Sequence, residues 1–316
     1  MPAVTTAISA QHLSKTYTYR GGSTKALDDV SFDIPTGETY GLIGRNGAGK
    51  TTFLRIAGTL LMPTSGTAFV LGHDIRTEER LIRQQIAMVP QESRPLYFAT
   101  TEQLIDGYLR LRGMAGTEAR RRRNDVIGEL GLGDVRSRSV SRLSGGQRRR
   151  VMVAMVLASD AELLFLDEPT TGLDPLARRE VWAAIGRATR EHRTVLLTTH
   201  YLDEAEALSA RLALLEGGRL RVEGSPESIR SRVQLPYRVT LDASWSAEEL
   251  SPYGTVSPLV DGHLLFTREK EAREVVQAAL ARGSRVALAP VTLEDIFLQL
   301  VGRPLDEATE ATEESG

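Results

Sequence analysis

Residues 44–52 read GRNGAGKTT, so that Gly44, four intervening residues and Gly49 lead directly into Lys50 and Thr51. This order suits phosphate. Glycines let backbone N–H groups approach phosphate oxygens, and a helix opening just behind them favours negative charge at its start. Lys50 is expected to reach the β- and γ-phosphates of a nucleotide, and the Thr51 hydroxyl to ligate Mg²⁺. Asn46, Gly47, Ala48 and Thr52 complete the nucleotide-contacting stretch. A second constellation lies at residues 163–169, LLFLDEP, where an apolar run delivers Asp167 and Glu168 side by side. Asp167 is expected on the Mg²⁺ side. Glu168, turned the other way by the strand's period of two, addresses an attacking water as general base.

These residues need strands to carry them and helices to follow them. Residues 39–43 form a short apolar strand that ends in the glycine loop, and a helix is expected from about Lys50 to Leu61, closed by Pro63-Thr64-Ser65-Gly66. Residues 163–166 and 194–198 are apolar runs of buried, parallel-strand type, separated by a helical stretch at 178–191. Ahead of the loop, residues 8–19 and 26–34 read as strands joined by a turn at Gly21-Gly22-Ser23. From about 95 to 142 helix formers dominate, and Leu104, Ile105, Tyr108, Leu109 and Leu111 lie largely on one helical side. The basic run at 120–123 reads as a solvated helix face near a membrane or acidic partner rather than a nucleic-acid patch. Gly217-Gly218-Arg219-Leu220 reads as a hairpin turn, and Gly224-Ser225-Pro226 as the loop before a last helix of this domain.

Past residue 230 a smaller α+β unit is expected, spanning 231–303. Residues 237–241, 255–260 and 263–267 read as strands, with Asp261-Gly262 a hairpin turn, and 269–281 as a helix. Residues 285–290 read as extended. Thr292 caps a final helix with Asp295 three positions on. Leu293, Ile296, Phe297, Leu300 and Val301 line one face of that helix, suited to core packing or to docking on a partner. The acidic tail at 304–316 is expected to be disordered.

Composition narrows the class. The 316 residues carry a net charge of −2, which gives no broad attraction to nucleic acid. There is no cysteine, which excludes disulfides and thiolate metal sites. No apolar run approaches the roughly 18 residues of a spanning helix, and the N-terminus lacks the pattern of a secretory signal. Work at a membrane would need another polypeptide to supply the span.

Three further motifs complete an ordered set: VPQ ending at Gln91, LSGGQ at 143–147 and TTH ending at His200. Together with the glycine loop and LLFLDEP they resemble the ATP-binding subunits of ABC transporters over residues 8–229. The resemblance implies an α/β fold: a P-loop ABC ATPase domain over 1–230 with a RecA-like core, an antiparallel β subdomain and a helical subdomain at about 95–150. It implies that Gln91 senses Mg²⁺, water and the transmembrane partner. Ser144, Gly145, Gly146 and Gln147 would bind the ATP held by a second copy, in a head-to-tail homodimer, with Asp174 in the loop crossing that interface. His200 would hold the γ-phosphate and position Glu168. Adenine needs an aromatic face, which the resemblance assigns to Tyr17 or, alternatively, Tyr19.

Within the family, THYLDEAEAL at 199–208 and TLEDIFLQLVGR at 292–303 resemble the drug-, antibiotic- and polysaccharide-exporter branch, in which a separately encoded permease spans the membrane. The implied place is peripheral, on the cytoplasmic face of the membrane. The alternatives are an importer ATPase with a regulatory C-terminal domain and a soluble ABC ATPase acting on the ribosome or DNA.

Overall fold

Three apolar strands that carry no charge until their last residue form the middle of the molecule's largest sheet. They are β3 (Thr39–Ile43), β7 (Leu163–Asp167) and β8 (Thr194–Thr199), and every residue of each is buried. The computed structural model describes residues 6–89, 98–231 and 234–301. In chain order the remaining elements of the first unit are β1 (Thr6–Tyr19), β2 (Gly22–Pro35), α1 (Lys50–Ala57), β4 (Ser65–Val70), β5 (His73–Asp74), α2 (Glu79–Gln85), β6 (Ile86–Val89), α3 (Thr101–Leu111), α4 (Gly116–Glu129), α5 (Gly145–Ala158), α6 (Pro175–Arg190), α7 (Leu202–Leu208), β9 (Arg211–Glu216) and β10 (Arg219–Gly224).

The six-stranded sheet runs β10-β9-β3-β8-β7-β6, and β9, β3, β8, β7 and β6 pair parallel with one another. Side-chain alternation splits its core in two. Leu164, Leu166, Val195 and Leu197 face a cluster built with α3 to α6, whereas Leu163, Phe165 and Leu196 face Phe53, Leu54 and the second sheet. That second sheet, β2-β1-β4-β5, is antiparallel. Chain connectivity and sheet order match the α/β reading of the sequence.

Several boundaries differ from the sequence reading, each for a local reason. The β1–β2 turn is confined to Arg20-Gly21, because Gly22 and Ser23 already pair with Tyr19 and Thr18. Helix α1 stops at Ala57 rather than near Leu61: Gly58 caps it and Thr59 turns left-handed at φ 59°. Arg83 holds that turn, donating to Thr59 Oγ1 and Thr59 O at 2.9 Å each. Helix α3 begins with a capping box between Thr100 and Gln103 and buries Leu104, Ile105 and Leu109. Leu111, its last residue, is exposed instead of sharing that face. In the basic run, Arg121 pairs with Glu118 and Asp125, and Arg122 with Glu118. Arg121 is thus engaged within its own helix, and Arg122 also donates to Ser159 O at 3.1 Å.

The chain divides into two compact units after Glu223. The second holds α8 (Pro226–Arg230), β11 (Tyr237–Asp242), α9 (Ala247–Leu250), β12 (Gly254–Leu259), β13 (Gly262–Thr267), α10 (Glu269–Arg282), β14 (Val286–Pro290) and α11 (Leu293–Val301). Its antiparallel sheet runs β12-β13-β11-β14 over a core of Val239, Leu241, Trp245, Leu265, Val275 and Ala279. Leu259 pairs with Gly262, so the hairpin turn is Val260-Asp261, one residue earlier than the sequence suggests. Thr292 and Asp295 cap each other across α11, and Leu293, Ile296 and Phe297 are buried. The last helix of the expected first domain, α8, packs against α11 in this unit. The side chains of Leu300 and Val301, and all of residues 304–316, lie outside the described residues.

Candidate nucleotide site

Strand register brings the separate motifs to one edge. Ile43 pairs with Thr199 across β3 and β8, and Asp167 pairs with Thr198 across β7 and β8. Three parallel strands thus end level, and the loops that leave them carry Lys50, Glu168 and His200 to the carboxyl edge of the sheet, where open α/β sheets bind ligands. Strand β6 ends at Val89, level with Leu166. Gln91, expected next along the chain, falls outside the described residues.

The glycine loop wraps closely enough that side chains are excluded at its two framing positions. A Cβ on Gly44 would lie 2.4 Å from Leu215 O, and one on Gly49, whose φ is 105°, 2.4 Å from Ala26 O. Asn46 and Gly47 are exposed at the tip of the loop, while Ala48 is buried. Gly49 supplies no side-chain cap to α1, so the N–H groups of its first turn face an incoming anion. Lys50 Nζ donates to Gly44 O at 2.5 Å and Arg45 O at 3.2 Å, and stands 3.8 Å from Glu168 Oε1. Burial pushes its ammonium below the ordinary lysine range, against the pull of Glu168 and Asp167.

Thr51 Oγ1 donates to Asp167 Oδ2 at 3.0 Å, and Thr198 Oγ1 to Asp167 Oδ1 at 2.5 Å. A hydroxyl and a carboxylate in contact are hard oxygen donors of the kind Mg²⁺ takes together with substrate phosphates and water. The pair fits that ion.

Glu168 is 6% exposed, and it diverges from Asp167 by a different route than strand pleating. Strand β7 has already ended, and Glu168 adopts φ 51°, in the left-handed region. Such a backbone costs on the order of 1–3 kcal/mol for a residue other than glycine and gathers at functional sites. Its N–H donates to Thr198 O at 3.0 Å. Its Oε2 accepts from Thr171 Oγ1 at 3.3 Å. His200 Nδ1 stands 3.3 Å from Glu168 Oε1. The His200 ring holds the Glu168 carboxyl below the usual carboxylate range, Lys50 acting in the same direction and burial against it. The His200 ring packs against Tyr201 in a tilted pair, centroids 4.0 Å apart, and Arg178 lies 4.6 Å over the Tyr201 ring.

The LSGGQ residues are built differently. Ser144 Oγ accepts from Gln147 N at 3.2 Å and Gln147 Oε1 accepts from Ser144 N at 3.1 Å, a capping box that starts α5. Ser144 and Gly145 are exposed. Gly146 packs so near the following loop that a Cβ there would lie 3.0 Å from Gly172 O. Asp174 caps α6, accepting from Leu176 N at 3.0 Å and Ala177 N at 2.9 Å. Those backbone donors, Ala177 first, hold its carboxyl low. Tyr17 is 37% exposed, with its hydroxyl 3.5 Å from Thr52 Oγ1; Tyr19 is 59% exposed and its hydroxyl contacts Thr24. Of the two aromatic candidates, Tyr17 is the one in contact with the phosphate loop.

Two residues near the site escape sequence reasoning. Arg149 donates to the carbonyl oxygens of Asp167 and Glu168. Glu204, fully buried, accepts from Thr170 Oγ1 at 2.7 Å and Trp182 Nε1 at 3.0 Å, and burial raises its carboxyl. The basic triplet 148–150 and the acids of 203–206 look like ordinary helix surface in the sequence. Their partners are brought in by the fold.

Comparison with known proteins agrees with this layout. The profile of the family described as ABC transporter matches residues 27–171. The daunorubicin/doxorubicin resistance ATP-binding protein DrrA of Streptomyces peucetius is 37% identical, over 98% of this chain and 97% of that protein. The Nod factor export ATP-binding protein I of Rhizobium etli is 34% identical, over 96% of this chain and 95% of that protein. Among solved structures, the ATP-binding cassette MJ0796, a dimer bound to ADP and Pi, superposes with a TM-score of 0.65 at 26% identity, covering 69% of this chain and 98% of that one. The phosphate loop, the acids at the end of β7 and the near full-length relatives give one conclusion: this chain belongs to the ABC transporter family, among its ATP-binding, ATP-hydrolysing proteins.

Proposed function

We propose that the chain is the ATP-hydrolysing subunit of an ABC exporter, acting as a head-to-tail homodimer on a separately encoded transmembrane permease. The observation that carries the chemistry is the meeting of Lys50, Thr51, Asp167, Glu168 and His200 at one sheet edge. The α1 N-terminus and Lys50 bind the phosphates, and Tyr17 stacks on adenine. Thr51 and Asp167, joined by Gln91, would hold Mg²⁺, which would supply neutralisation of phosphate charge. Glu168, kept ionised by its surroundings, takes a proton from water as the water oxygen attacks the γ-phosphorus. The bond from that phosphorus to the ADP oxygen breaks, and ADP and phosphate leave. His200 orients Glu168 and contacts the γ-phosphate.

Ser144 lies exposed at the start of α5; with Gly146 it binds the γ-phosphate of the second copy's ATP, and Asp174 lies in the loop at the interface. Export is favoured by the near full-length likeness to resistance and export ATP-binding proteins. Among the described residues no helix is long and apolar enough to cross a membrane. By the likeness to those export ATP-binding proteins, the proposed location is peripheral, on the cytoplasmic face, through the permease. The cargo class is a drug, antibiotic, lipid or polysaccharide. The test is to tag the Glu168→Gln form, load it with ATP and identify what co-purifies from detergent-solubilised membranes. A multi-span permease at about one to one supports the reading; ribosomal or DNA-associated partners without a membrane protein contradict it.

A further inference from the structure

The residue that joins the LSGGQ helix to the hydrolytic acids is Arg149. It lies on α5, whose first turn carries Gly145 and Gly146, and one of its guanidinium nitrogens donates to both Asp167 O and Glu168 O, the latter at 2.9 Å. Those two carbonyls bracket the peptide at which the chain leaves β7 and enters the left-handed turn at Glu168. From the other side Thr198 fixes the same peptide through the Glu168 N–H and the Asp167 carboxylate. The Glu168 backbone is thus clamped between β8 and α5, with its carboxylate left to His200, Thr171 and Lys50.

We propose that Arg149 is a positioning residue for hydrolysis: it fixes the Glu168 backbone from the LSGGQ helix, so that the carboxylate is aimed at water only while that helix is in place. The inference rests on Glu168 being the base. It gives the outward-facing motif a physical connection, inside one chain, to that chain's own base. Burial works against the guanidinium charge, while Asp167, Glu168 and Glu204 around it favour that charge. A neutral replacement removes the two hydrogen bonds together with this balance. A lysine keeps the charge but lacks the planar fork.

The experiment measures steady-state ATP hydrolysis, binding of trinitrophenyl-ATP and the thermal midpoint for the native chain, Arg149→Met, Arg149→Lys and Glu168→Gln. Misplacing a reacting group by a fraction of an ångström to one ångström costs up to about 100-fold. Arg149→Met is expected to lose roughly ten- to fifty-fold in kcat with KM and nucleotide affinity within about threefold, the mark of an interaction that matters in the transition state. Arg149→Lys is expected to fall between the two. Native kcat in Arg149→Met, or a loss of nucleotide affinity as large as the loss of kcat, overturns the inference. Should Arg149→Met fail to fold, Arg149→Lys decides: native kcat overturns it, and a clear fall at unchanged affinity supports it. Glu168→Gln separates the two levels. If it hydrolyses at the native rate, the assignment of Glu168 fails and this inference with it; if it is inactive while Arg149→Met is active, only the inference about Arg149 fails.

Discussion

The two regions proposed to face phosphate are built to opposite designs. Around Lys50, Asp167 and Glu168 the charges are buried, at 5%, 2% and 6% exposure, and each is held by partners within the chain. Around Ser144 and Gly145 the backbone is exposed, and the polar side chains do little but cap their own helix. A buried, interlocked set of charges favours developing charge at a fixed point, because no solvent must reorganise. An exposed helix start, by contrast, offers its donors outward. On the proposed function, the difference teaches that one chain carries a catalytic half and a separate recognition half that meets its ligand from outside. The first should respond to substitution in turnover, and the second in assembly.

The largest effect is expected at the buried half. Glu168→Gln should retain ATP binding and lose on the order of 10²–10⁴ in turnover, the usual contribution of a general base. Steady-state hydrolysis beside equilibrium ATP binding checks it, and near-native hydrolysis removes Glu168 from the role. At the exposed half, Ser144→Ala should abolish ATP-dependent association while leaving the monomer's ATP affinity within about threefold; it should also cost about 1 kcal/mol through the lost helix cap. Sedimentation and thermal unfolding measure the two separately. An associating Ser144→Ala would erase the contrast.

Smaller effects sharpen it. Glu204 is buried beside the hydrolytic site with its carboxyl raised by burial. An acid whose folded pKa lies above its unfolded value holds its proton more tightly when folded. Its share of stability is present at low pH and is lost as pH rises from the unfolded pKa through the folded one. Glu204→Gln, which keeps an oxygen for Thr170 and Trp182, should therefore gain in thermal midpoint relative to the native chain as pH rises from 4 toward neutrality. A pH-independent difference would contradict this. Removal of residues 235–316, which carry the second unit's sheet, should weaken association or transport more than nucleotide binding. Unchanged transport would detach that unit from assembly.

Much of the catalytic half was legible because its information is local. GRNGAGKTT states its own conformation, and LLFLDE states burial and then charge. The parallel order of β3, β8 and β7, with the register that levels Ile43, Thr199 and Asp167, turns those local signals into one site. Sequence reasoning placed Glu168 opposite Asp167 by strand pleating. The fold reaches the same separation through a left-handed residue, which no spacing rule encodes. Arg149, Glu204 and the Arg83 clamp on Thr59 were illegible because their partners are distant in the chain: Arg149 meets Asp167, and Arg83 meets Thr59 across 24 positions. Short elements such as α2 and β5 were missed for another reason. A seven-residue helix offers under two turns of periodicity, too few to separate from a loop.

The decisive measurement is the mass of the Glu168→Gln chain by analytical ultracentrifugation with Mg²⁺ and ATP, with ADP, and without nucleotide. Recognition across two copies predicts a doubling of mass with ATP only, lost when Ser144→Ala is added. A chain that binds ATP yet stays monomeric across the concentration range would contradict it and leave the exposed half without its proposed ligand.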